Sequence, residues 1–176
     1  RSPVSVVRRL PAGAEELECD RLSLAFGQDP TSRSTNEGTG LNSTLQIRTI
    51  RASGDTVLLR SAVERFEARG RELIVKPKDR EVTLRGQPAT ATKEGHVLQC
   101  SELIVRPPPA STDQPFRWAV VPGPGRLILN EGRTRSRLEL TWHDEFTLER
   151  DGTGDRLRVR GDVIADDHTS IGQKLK

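Results

Sequence analysis

The sequence is short of what membrane spans, metal centres and catalytic machinery require. No apolar run approaches the ~20 residues that a membrane-spanning helix needs, so no span is expected. The three histidines, His96, His143 and His168, lie in different segments without metal-ligand spacing. No serine sits in a nucleophile elbow, and Pro122-Gly123-Pro124-Gly125 is not followed by the Lys-Ser/Thr pair of a phosphate cradle. Catalytic residues, metal and cofactor are therefore expected to be absent. A net charge of +3 spread over 28 basic and 25 acidic residues leaves no basic arm, which argues against nucleic acid as a partner. The chain opens on Arg1 with no secretory leader, so it is expected to be an excised or processed piece, with any signal or anchor outside it. Helical periodicity is scarce too. Val63 and Phe66 fit a helix over Ser61 to Arg71, but Phe66, Ala68 and Gly70 alternate equally well, and a strand is predicted there.

What the sequence does contain is a repeat of strand-forming alternation. Glu72-Leu73-Ile74-Val75-Lys76-Pro77 recurs as Glu102-Leu103-Ile104-Val105-Arg106-Pro107, and Glu81-Val82-Thr83-Leu84-Arg85-Gly86 lies between them. The period is two, that of a half-buried strand. Leu17-Glu18-Cys19-Asp20-Arg21-Leu22-Ser23-Leu24 aligns with Leu98 to Val105, matching both leucines and the cysteine. The unit is thus strand, turn, strand, with loops of variable length at its edges. One unit cannot bury its own apolar face. Stacked units would bury a continuous core from inward Leu22, Leu24, Leu73, Val75, Val82, Leu84, Leu103, Val105, Leu138, Leu140, Leu157 and Val159.

Three divisions are predicted along the chain. Residues 1–16 form an N-terminal edge segment, with Val4-Ser5-Val6-Val7 as one strand and a loop after it. Residues 17–165 form a single β domain with long loops at 28–43 and 107–115, where Gly, Ser, Thr, Asn and Pro concentrate. Residues 166–176 form a polar, frayed tail. Within the domain, Gly54-Asp55 marks a turn before Thr56 to Leu59, and Phe116 to Val121 is a strand. Hairpins are predicted about Asn130-Glu131-Gly132 and about Asp151 to Asp155. The latter has oxygen ligands at calcium-like spacing but no closing glutamate, so it reads as a turn. Arg133, Arg135 and Arg137, and likewise Arg156, Arg158 and Arg160, alternate on strand faces and read as solvated surface.

The run Val82-x-Leu84-x-Gly86, a short turn with Ala89-Thr90-Ala91, then Leu98-x-Cys100-x-x-Leu103-x-Val105 resembles the organic-solvent-tolerance-A (OstA-like) family of periplasmic lipopolysaccharide-transport proteins. Three or four such units cover roughly Leu17 to Val163, and the chain departs from the family in having no tyrosine. The resemblance implies an all-β, open, twisted jelly roll of two facing antiparallel sheets. It also implies a periplasmic location and no enzymatic activity. The twelve inward residues named above would line an apolar trough for acyl chains of lipopolysaccharide or another lipid. The implied partners are that lipid and other jelly-roll transport proteins, or further copies joined head to tail through Val4 to Val7 and Leu157 to Val163. A ligand-free structural module of a larger envelope protein and a β-helix polysaccharide lyase are the alternatives. An oxidising compartment would allow Cys19 and Cys100 to pair. However, Gly70 holds the same register position on the unit between them, and one intervening strand sets the cysteines roughly 10 Å apart. Two reduced, buried thiols are expected.

Overall fold

The computed structural model describes residues 3–11, 13–28, 45–63, 65–106, 116–131, 136–150 and 154–168. Among them every regular element is a strand. The strands are β1 (Val4–Leu10), β2 (Gly13–Cys19), β3 (Arg21–Gln28), β4 (Leu45–Ser61), β5 (Phe66–Lys76), β6 (Glu81–Lys93) and β7 (His96–Val105). They continue as β8 (Phe116–Pro122), β9 (Gly125–Glu131), β10 (Ser136–Trp142), β11 (Glu145–Arg150), β12 (Asp155–Arg160) and β13 (Ile164–Asp167). All pair antiparallel in one open sheet, and the short Glu94-Gly95 link between β6 and β7, both at positive φ, is the geometry a two-residue hairpin favours.

Four strands, β4 to β7, are long, and each breaks step in its middle. The register shifts between Ser53 and Val57, between Arg69 and Glu72, and between Arg85 and Ala89. β7 pairs β9 through Val97 to Cys100 and β8 through Ile104 and Val105. The sheet therefore divides into two branches that share these strands. One runs β1-β2-β4-β5-β6-β7-β9-β10-β13 and the other β3-β4-β5-β6-β7-β8-β11-β12. Gly54-Asp55, expected to be a turn, and Gly86, expected to close a strand before a short turn at Ala89-Thr90-Ala91, instead lie at these breaks inside continuous strands. A local glycine or proline satisfies a bulge as well as a turn, and Pro88, which has no N–H to donate, sits where the ladder is already interrupted.

Small residues line the break. Val4 pairs Cys19, Cys19 lies one place beyond the Glu18–Leu58 pair beside Val57, and Val57 pairs Gly70. Gly70 follows the Arg69–Thr90 pair and so adjoins Ala89, which pairs Cys100, which in turn pairs Gly125 beside Trp142. Val57 and Ala89 are 0% exposed. A Cβ on Gly70 would stand 2.5 Å from the Arg85 carbonyl oxygen and 2.8 Å from Leu84 Cδ1, and one on Gly86 would stand 3.1 Å from Gly70 Cα. Backbone meets backbone there, and only glycine fits.

The buried residues of both branches form one cluster that includes Cys19, Leu73, Leu84, Cys100, Leu103, Leu127, Trp142 and Phe146. Trp142 at the end of β10 stacks on Phe146 at the start of β11, with centroids 5.1 Å apart, and donates its indole N–H to the Gly123 carbonyl at 3.0 Å. Such a pair contributes about 0.5–1.5 kcal/mol beyond its area. At the ends of the chain the expected boundaries shift. Strand β2 already begins at Gly13, where a loop is expected, and β13 carries Asp166 and Asp167 in register with Glu139 and Leu138. Residues 29–44, 107–115 and 169–176 lie outside the described residues, and with them nearly all of both expected long loops and most of the tail.

Gly70→Ala is expected to lower stability by about 1–3 kcal/mol through overpacking. Gly154→Ala, where a Cβ meets nothing within 4 Å, is expected to stay within about 0.5 kcal/mol of the parent. Urea denaturation of the two variants checks the difference.

Candidate functional site

The inner face is built from rows of side chains that run across the strands. In the second branch Leu22, Ala52, Leu73, Leu84 and Leu103 pair in succession. Val121, adjoining Leu103, then pairs Phe146, and Phe146 pairs Val159. Two residues further from the break, Leu24, Ile50, Val75, Val82, Val105, Ala119, Leu148 and Leu157 form the next row. In the first branch the matching row is Val6, Leu17, Leu59, Ala68, Ala91, Leu98, Leu127, Leu140 and Ala165.

Burial falls with distance from the break. Leu73, Leu84 and Leu103 are 3 to 5% exposed, whereas Val75, Val82 and Val105 are only half-buried. At the free edge Leu24 is 46% exposed, and Phe26 and its cross-strand partner Ile47 are 54% and 40% exposed. Of the twelve inward residues predicted, ten fall on the two rows of the second branch; Leu140 lies on the first-branch row and Leu138 one row beyond it, beside Leu129. Sequence reasoning missed Ala52, Ala68, Ala89 and Ala91, because alanine carries little signal in an alternation. It also missed Phe26 and Ile47, which border the expected loop.

The outer face is charged, and the charges alternate in sign from strand to strand. Glu72 of β5 lies between Arg51 of β4 and Arg85 of β6, the latter at 3.4 Å, and Arg85 also reaches Glu102 of β7 at 2.8 Å. Nearer the strand ends, Glu81 accepts from Lys76 at 2.8 Å and from Arg106 at 2.7 Å. Between these charged rows runs Ile74, Thr83 and Ile104, and Thr83 is buried although it points away from the core. Its cross-strand neighbours on that face are Ile74 and Ile104. Glu67 is held by Arg60 and Arg69, Glu139 by Arg126 and Arg137, Glu149 by Arg158 and Glu145 by Arg160. Arg137, Arg158 and Arg160 are thus paired strand-surface groups, while Arg133, Arg135 and residues 151–153 of the expected turn lie outside the described residues.

Among the described residues no three His, Cys, Asp or Glu side chains converge as a metal site. His96 Nδ1 accepts the Asn130 backbone N–H at 3.1 Å, a structural role, and His143 stands on an exposed turn 3.2 Å from Asp144. A surface concavity of about 510 Å³ beside the β4–β5 and β6–β7 turns is lined by Arg60, Glu16 and Glu67, which already pair with one another.

Both thiols are free and buried. They share one row, as the register predicts, but three strands separate them rather than one, because β4 inserts between β2 and β5 and β6 follows. Four steps of strand spacing put them about 19 Å apart. Burial pushes the Cys19 thiol up, and the Cys100 thiol up to about 12. Native protein at pH 8 is accordingly expected to resist thiol reagents, and two thiols per chain should react once the unreduced protein is denatured; none then would mean a disulfide.

Lys76 first and then Arg106 hold the Glu81 carboxyl below the usual carboxylate range. Its folded pKa lies below its unfolded one, so its stabilisation is complete above the unfolded value, about 4.3, and is lost as pH falls through the folded value. Glu81→Gln is expected to flatten that acid limb in a series of denaturation curves; an unchanged limb would count against the pairing. The chain matches no protein-family model, no curated protein and no solved structure.

Proposed function

We propose that this chain is a non-enzymatic module of a cell envelope, an open jelly roll whose two branches face each other as the walls of an apolar trough for acyl chains. The observation that carries this reading is the gradient of the inner rows, dry at the break and half-open two rows away. A trough needs such a wall, apolar throughout yet unfilled at its mouth. Removing apolar surface from water at about 25 cal/mol per Å² drives the capture, and no directed polar group is required. The resemblance to the organic-solvent-tolerance-A family supports lipopolysaccharide, or another acyl lipid, as the ligand and the periplasm as the location.

The ends of the sheet support assembly with further copies. Among the described residues, strands β1, β3, β12 and β13 each have one paired neighbour and one free edge. The first branch has nine antiparallel strands, so β1 and β13 run the same way, and a copy added in the same orientation would pair them in parallel. Val6 then continues the row beyond Ala165, and Arg8 meets Asp167. The second branch has eight strands, so β3 would join β12 antiparallel, with Leu22 beside Val159 and Leu24 beside Leu157. One translation thus continues the apolar rows in both branches. Free edges template such pairing unless they are blocked.

A ligand-free assembly module is the second reading, favoured by one observation: Val57 and Ala89 at the break, and Val121 in the row beside it, are 0% exposed and leave no room there.

Val105→Phe fills the half-open row while keeping it dry. A folded Val105→Phe protein is expected to lose affinity for a fluorescent fatty acid, and unchanged binding would favour the second reading. Light scattering is expected to show mass rising with concentration, weaker for Arg8→Glu and restored by adding Asp167→Arg. A monomer at millimolar concentration would rule the assembly out.

A further inference from the structure

The inner face of the second branch changes character where β3 and β4 outrun the strands beside them. Beyond the Ile50–Val75 pair β5 offers no further partner, because its chain turns at Pro77-Lys78-Asp79-Arg80, and β4 continues with β3 alone for a neighbour. That extension carries Phe26 paired with Ile47. The residue that shifts the register there, Arg48, belongs to β4, so β3 alternates without interruption through Leu22, Leu24 and Phe26, and all three stand on the inner face. Leu24, Phe26 and Ile47 are each at least 40% exposed, and no other large apolar side chain described on this inner face is. At the far end of Leu24's row, Leu148 and Leu157 are half-buried. The described row therefore opens onto an apolar ledge at β3.

We infer that this ledge sets the direction in which an acyl chain with one polar head lies in the protein, an inference that rests on the acyl-trough reading. The tail runs inward along Val75, Val82 and Val105, the segment next to the head covers Leu24, Phe26 and Ile47, and the head stays in water beyond the β3 edge. Continuity identifies the occupant. Leu24 belongs both to the half-open row and to the ledge, so a chain that follows the row and leaves past β3 covers Phe26 and Ile47 as it goes. Direction follows from solvation. A polar or charged head taken out of water without a partner costs more than a methylene gains, and the described inner side chains from Leu24 to Leu157 are all apolar. The tail has the opposite preference and gains most where the walls are driest. Covering the exposed ledge removes further apolar area from water, and only the head-proximal segment reaches it while the head remains solvated.

The test is quenching of a tryptophan placed on the ledge. Phe26→Trp keeps an aromatic ring there, Ile47→Trp serves as a second reporter, and subtracting the parent's emission removes Trp118 and Trp142. The probes are two brominated palmitic acids, one with bromine near the carboxylate and one with bromine at the terminal methyl, used at a protein concentration where light scattering shows a monomer. The first is expected to quench the ledge tryptophan and the second several-fold less. Phe26→Ser should weaken binding of a fluorescent fatty acid several-fold, with circular dichroism showing the fold retained. Stronger quenching by the terminal bromine, or equal quenching by both, overturns the inference. Quenching by neither, although both acids displace the fluorescent one, also overturns it and leaves the trough reading intact with its path elsewhere. A folded parent that binds no fatty acid removes the trough reading itself, and this inference with it.

Discussion

The fold depends on a close approach of backbone to backbone along one line. Gly70 and Gly86 meet with no room for a Cβ on either, and their neighbours on that line are Cys19, Val57, Ala89, Cys100 and Gly125. A flat sheet of strands as long as β4, with 17 residues, would present one wide apolar face to water. Breaking four adjacent strands at one line lets a single continuous ladder supply both branches of a shared core. The cost is local: a few ladder bonds are lost where Gly54, Gly70 and Pro88 interrupt the register. The gain is that residues on either side of the line, such as Leu73 and Ala68, join one buried cluster.

Register across this sheet is specified twice. On the inner face leucine meets leucine and valine meets valine from strand to strand, as in Leu73, Leu84 and Leu103 or Val75, Val82 and Val105. A slip by one residue would turn both rows to solvent. On the outer face Arg51, Glu72, Arg85 and Glu102 alternate in sign, so a slip by two, which keeps leucines inward, would still break the ion pairs. Each exposed pair contributes little to stability, about 0–1 kcal/mol, and its value lies in discrimination between registers. This explains the repeated Glu-Leu-Ile-Val-basic-Pro segment. β5 and β7 flank β6 on both sides, and both must present the same face to the same strand.

How far this was legible from the residues follows from the same physics. Alternation identified the strands, the hairpin of β9 with β10 and the pairing of β11 with β12, because those signals are local. It also gave Cys19, Gly70 and Cys100 a common row. It misjudged the strand count between them, since β4 lies far along the chain from β2 and nothing local announces that pairing. Gly54 read as a turn, and Gly86 as a strand's end before one, because a glycine beside a polar residue or a proline looks alike in a turn and in a bulge. Only the partner strands tell them apart. The interior of the first branch was hardest to see, as Ala68, Ala91 and Ala89 alternate without contrast.

The rows also limit what the interior can accept. At the break, packing is complete, and a ligand there would have to displace side chains that are almost wholly shielded from water. Two rows out, Val75, Val82 and Val105 leave their walls half open, and an acyl chain laid along them would run across the strands, parallel to the break. A chain in that direction passes from Leu24 on β3 to Leu157 on β12 and so enters and leaves through the free edges. In the proposed reading the same edges that join copies are therefore the ends of the lipid's path. That makes binding and assembly one property of the rows: a change that severs a row in the middle, at Val105, would interrupt the path without touching an edge, whereas a change at Arg8 would break the joint and leave each copy's path intact.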